Sequence, residues 1–117
     1  MPLIQVFTSA PAPTSDRGTT LLGELSGIAA ARFGKPERWV MTALVPGLQM
    51  TFAGNTAPAA FVSVKNIGTM SPDDTAALSR EICTRVSRAL DVPFDRIYID
   101  FADATASMWG WNGETFA

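Results

Sequence analysis

Two strands joined by a helix-length connection lie side by side in parallel, because a tight turn would reverse the chain. This 117-residue chain repeats that arrangement. Residues 3–7, Leu-Ile-Gln-Val-Phe, read as a strand that is apolar at almost every position and therefore expected to be covered on both faces. Ser15 or Asp16 is positioned to cap a helix whose apolar residues, Leu21, Leu22, Leu25, Ile28, Ala29 and Phe33, share one face. Gly34 stops this helix and Pro36 keeps it from resuming. Residues 39–45 form the second expected strand, ended by Pro46-Gly47, and residues 49–52 a short extra one.

The second half runs the same way. Residues 59–67 are a strand, broken by Gly68. Ser71-Pro72-Asp73-Asp74 opens a helix with a cap, a proline in the first turn and acids at the positive end of the helix dipole. Leu78, Ile82, Val86 and Leu90 give it a buried stripe, and residues 97–101 form the fourth strand. The expectation is a single domain, 1–117, of the α+β class. It is a β-α-β repeat with a four-stranded mixed sheet and both helices on one face.

Two helices leave the other sheet face bare. Hydrophobic residues make up 47% of the chain and charged residues only 17%, so that face is expected to be buried by self-association. The net charge of -2 and the lack of a basic stretch argue against a nucleic-acid partner. No apolar run is long enough to cross a bilayer, and no conventional export signal is visible. The expected location is therefore cytoplasmic.

Histidine is absent and Cys83 is the single cysteine, so Ser-His and Cys-His catalysis, imidazole metal sites and disulfides drop out. No metal or cofactor is expected. Cys83, on the second helix, reads as a buried structural thiol. The chemistry left belongs to amines, carboxylates, tyrosine and backbone groups. Pro2 follows Met1 directly. A small second residue favours removal of the methionine, which would leave a free secondary amine at the head of the first strand. An α-amine titrates near ~7.7–8.0, closer to neutrality than a lysine. Taken alone, Pro2 reads as a plain chain start, and Lys35 as a lysine answering a helix dipole. Asn66-Ile67-Gly68 ends a strand where backbone N–H groups could meet an anion. Tyr98 and Asp100 alternate onto one face of the fourth strand, as pocket lining or as solvated surface. Met108, Trp109, Trp111 and Phe116 supply aromatic and apolar bulk for a core, an interface or a pocket.

In combination these elements are specific. Met1-Pro2, Gly34-Lys35-Pro36, Asn66-Ile67-Gly68, Asp95-Arg96-Ile97-Tyr98-Ile99 and Gly110-Trp111-Asn112 with Thr115-Phe116-Ala117 together resemble the macrophage migration inhibitory factor family of the tautomerase superfamily. The resemblance spans essentially the whole chain. It implies a homotrimer whose three sheets surround a channel, with active sites at subunit interfaces. It implies a keto–enol tautomerase of aromatic α-keto acids, such as phenylpyruvate and hydroxyphenylpyruvate, with Pro2 as general base. Lys35 and the Ile67 N–H match positions that hold the substrate carboxylate and enol oxygen. Tyr98 matches a substrate-facing tyrosine from the neighbouring subunit. Met108, Trp109, Trp111 and Phe116 would shape the aromatic slot, with Trp39 at its rim.

The chain departs from the animal proteins at several points. Trp39 stands for tyrosine, Asp100 for asparagine and Lys65 for a histidine near the pocket. The animal CxxC reads Pro58-Ala59-Ala60-Phe61-Val62, so thiol–disulfide activity does not carry over. An acid at Asp100 could accept a hydrogen bond from a ring hydroxyl or repel an acidic substrate. Two other readings stand beside the tautomerase: a cytokine or cytokine mimic that binds a cell-surface receptor, and a trimeric scaffold without turnover. Some family members leave the cell without a signal sequence, which keeps an extracellular role open.

Overall fold

The computed structural model describes residues 1–117. Its main sheet has four strands: β1 (Leu3–Thr8), β2 (Met41–Val45), β3 (Ala60–Ile67) and β4 (Ile97–Ala104). Their order across the sheet is β2-β1-β3-β4. β1 pairs in parallel with β2 and antiparallel with β3, while β3 and β4 are parallel. Each parallel pair is bridged by one helix, α1 (Ser15–Phe33) or α2 (Pro72–Leu90). The mixed β-α-β repeat is therefore as the sequence implies.

Both helices cover the same sheet face. Ile4, Val6, Val62 and Val64 point to it and are fully buried, packed with Leu21, Leu25, Leu78, Ile82 and Val86 from the helices. Val86 and Ile82 belong to the predicted stripe of α2, and Leu78 and Leu90 complete it. Burying an aliphatic side chain of this size contributes about 1.5–3 kcal/mol, so the interleaved aliphatic layer dominates cohesion. Ser71 caps α2 in a full capping box with Asp74. α1 is capped one residue earlier than expected: the Thr14 side chain accepts from the Arg17 N–H. Gly34 ends α1 in the left-handed region, at φ 60°, where a Cβ would be strained.

Several boundaries differ from the sequence reading. Trp39 lies in a 3-10 turn (Glu37–Trp39) before β2, because Pro36 starts a new turn. Residues 49–52 do not form a strand; only Phe52 and Asn55 bridge, across the Ala53-Gly54 turn. β4 runs three residues past Phe101, to Ala104. Cys83 is half-buried beside the core, and burial pushes its thiol pKa up. The tail folds too: a 3-10 turn (Ala106–Met108) leads into a small hairpin, β5 (Gly110–Trp111) and β6 (Glu114–Thr115). Finally, β1 is fully covered on one side only. Leu3, Gln5 and Phe7 on the other face are half-buried.

Candidate active site

Three parts of the chain meet around a cavity of about 420 Å³. The first is the head of β1, with Met1, Pro2 and Leu3; the second is the link into β2, with Arg38, Trp39, Val40 and Met41. The tail supplies Trp109, Gly110, Trp111 and Phe116. A central strand fixes the floor. The Met41 N–H donates to the Pro2 carbonyl at 3.1 Å, and the Pro2 side chain is fully buried. The walls are aromatic. Trp39 meets Trp111 edge-to-face at 4.7 Å between centroids and Phe116 at 5.8 Å; Trp111 and Phe116 stack at 6.1 Å. These are favourable geometries for aromatic rings, and they fix the walls relative to one another.

The tail hairpin is what brings Trp111 and Phe116 here. Asn112 and Gly113 take φ of 53° and 81°, the left-handed pair that a tight two-residue hairpin turn requires. The Phe116 N–H then donates to the Trp109 carbonyl at 3.1 Å. An Asn-Gly dipeptide is the sequence signal for such a turn.

The α-amine at Met1 has its pKa lowered from 8.0 to about 6. Desolvation is the largest cause, followed by the positive charge of Lys35 and a hydrogen bond with the Lys35 side chain. Each cause favours the neutral amine, whose lone pair accepts from an ammonium. Lys35 also donates from Nζ to the Ile67 carbonyl at 3.2 Å, and its three N–H bonds can serve both partners. Asn66 lies one step beyond the β1–β3 register, opposite Pro2 and on the same buried side. It is 4% exposed, and its Oδ1 has no hydrogen-bond partner. Chain-order reading had no signal for this orphan acceptor.

Of the residues singled out in the sequence, Pro2, Trp39, Trp109, Trp111 and Phe116 share the cavity, with Lys35 beside the amine. Ile67 meets Lys35 through its carbonyl and borders a different depression, beside Ala104. Tyr98, Asp100 and Met108 lie outside the cavity of their own chain. Tyr98 and Asp100 project from the bare sheet face, where Tyr98 packs on Phe52 at 4.8 Å. Met108 is 79% exposed on the tail. Arg38 lines the cavity and was not singled out by its residue pattern. A separate groove between α1 and α2 is lined by charged side chains, of which Arg85 and Glu24 already pair at 2.9 Å. It lacks the apolar walls of a small-molecule pocket.

Comparisons with known proteins agree along the whole length. The family model for macrophage migration inhibitory factor matches residues 1–117. A macrophage migration inhibitory factor from Meriones unguiculatus is 36% identical over 117 residues, covering all of both chains. Among solved structures, a macrophage migration inhibitory factor homologue from Prochlorococcus marinus is 46% identical, with a TM-score of 0.93 over 98% of this chain and 99% of that one. The macrophage migration inhibitory factor of Toxoplasma gondii superposes with a TM-score of 0.92 at 29% identity, over 97% and 99% of the two chains.

Proposed function

Since the chain belongs to the macrophage migration inhibitory factor family, we propose that it is a keto–enol tautomerase of aromatic α-keto acids of the phenylpyruvate type. The imino nitrogen of Pro2, freed by removal of Met1, is its general base. The observation that carries this reading is an α-amine titrating at about 6 in the lining of an aromatic cavity, next to the buried Pro2. A base must be neutral at working pH and titrate close to it. The pKa belongs to the amine of Met1, and the same burial and the same Lys35 charge would act on Pro2.

The reaction moves one proton. The Pro2 nitrogen takes it from the carbon beside the keto group, and the C–H electrons form the new C=C bond while the carbonyl electrons move to oxygen. Returning a proton to that oxygen completes the enol, and the steps run equally in reverse. Lys35 stabilises the charge that develops on oxygen, which a fixed cation in a desolvated site does well. The Ile67 N–H assists in holding the carboxylate. Tyr98 and Asp100 enter the cavity from a second copy of the chain, with Met108 near its edge, in a homotrimer assembled through the bare sheet faces. No cofactor takes part.

An enol–keto assay with phenylpyruvate, run on unaltered protein and Pro2→Gly, tests the base. The variant is expected to lose about a hundredfold or more of the activity, the usual reach of a positioned general base, while keeping its assembly. Undiminished turnover would sink the assignment. Mass spectrometry adds an independent check, because a retained Met1 blocks the imino nitrogen. The cytokine-like alternative draws on the relatives' names alone, and no residue of the cavity favours it.

A further inference from the structure

The cavity has apolar walls, and the one charged side chain that lines it is Arg38. Its setting is the reverse of Pro2's: Pro2 is buried at the floor, whereas Arg38 is exposed at the mouth. The Arg38 guanidinium lies 5.4 Å from the Trp39 ring centroid, a cation–π contact that holds it against the wall. No carboxylate of its own chain pairs with it. The ion pairs of the chain are Arg32–Asp74 and Arg85–Glu24, and neighbouring Glu37 stays outside pairing distance. A second cation, Lys35, stands by the α-amine of Met1, which lines the same cavity. The slot thus has aromatic sides, one cation in its lining and a second beside the α-amine.

A flat monoanion satisfies only one of those cations. We propose that Arg38 is a second anion-binding residue, and that the favoured substrates are aromatic α-keto acids bearing a further carboxylate on the ring, opposite the keto-acid arm. The orientation rests on the tautomerase reading: the keto-acid carboxylate points to Lys35 and the ring lies between Trp39, Trp111 and Phe116. The ring carboxylate then meets the planar guanidinium, whose paired N–H groups match a carboxylate edge. A lysine at that place would supply the charge without the fork. The pair operates at an exposed mouth, so it sets preference between ligands more than total affinity.

Tryptophan fluorescence titrations of the intact protein with phenylacetate and 4-carboxyphenylacetate, neither of which turns over, test this without relying on catalysis. The dicarboxylate is expected to bind about tenfold more tightly, a difference of about 1.4 kcal/mol. Arg38→Gln should bring the two affinities to within about twofold, and Arg38→Lys should recover part of the gap. Equal affinities in the unaltered protein, or a preference that survives Arg38→Gln, would overturn the proposal. The unaltered protein's own preference decides the matter should a variant misfold. Failure of the Pro2→Gly assay would remove the base and leave this titration standing, so the two readings fail separately.

Discussion

Arg96 devotes its guanidinium to the protein's own main chain. It donates to the carbonyls of Pro58 and Ala57 at 2.9 Å each, and to those of Phe52 and Asn55 at 3.3 and 3.5 Å. It also sits 5.2 Å from the Phe52 ring centroid. One side chain thereby ties down the loop between β2 and β3. A lysine keeps the charge but cannot span four carbonyls in a plane. Arg96→Lys should cost about 1.5 kcal/mol, the low end for hydrogen bonds to a charged group, and should speed protease cleavage within residues 50–58. Urea melts and limited proteolysis would measure both effects. The α-amine makes a second prediction at this scale. Its pKa falls from 8.0 in the unfolded chain to about 6 in the fold. Between those values the unfolded chain binds the proton and the native one does not, so stability is full above pH 8 and declines as pH drops through 6. For protein that keeps Met1, the urea midpoint should fall from pH 8 to pH 6 more than it does for an N-acetylated sample. Identical slopes would show that the amine keeps its ordinary pKa.

At the level of elements, the ends of α2 carry opposite chemistry. Its start is well made, because Ser71 and Asp74 each satisfy the other's backbone N–H. Ser71→Ala should cost about 1 kcal/mol. Its end is not: Asp91 takes the left-handed conformation at φ 57° and places an acid at the negative pole of the helix. Asp91→Gly should stabilise by about 0.5 kcal/mol, relieving both penalties against a looser unfolded chain. Thermal or urea unfolding checks the signs. These ends also explain what could be read from the chain. The limits of α2 and the stop of α1 at Gly34 depend on residues within a few positions, so they were legible. Residues 49–52 look strand-like by composition, yet their one bridge is the local Phe52–Asn55 contact, they pair with no strand of the sheet, and Gln49 stays exposed. The two-residue strands of the tail are too short to show alternation. Trp109, Trp111 and Phe116 were legible as a pocket through resemblance. Arg38, and the unpartnered side chain of Asn66, became visible only when turn geometry and strand register placed them near Pro2.

For the molecule as a whole, the sheet presents a face that its helices leave uncovered. Val45, Phe7, Phe61 and Tyr98 line up across all four strands in one row, and Ala43, Gln5, Ser63 and Asp100 in the next. Phe7 and Phe61 stack at 6.2 Å, Phe61 is 37% exposed and Tyr98 66%. A continuous apolar row on a chain of 12.5 kDa needs a cover in solution. Light scattering should report three times the chain mass for the unaltered protein. Phe61→Asp, which places a charge in the row, should shift it toward the monomer; a monomeric parent would remove the proposed trimer. The opposite edge of the fold has its own practical consequence. Met1 borders the cavity, and Pro2 is clamped at the floor by the Met41 N–H. A purification handle fused ahead of Met1 would therefore start in the cavity lining and crowd the space a ligand uses. Such a preparation would behave as a corked vessel, well folded and unable to admit what it was built to receive.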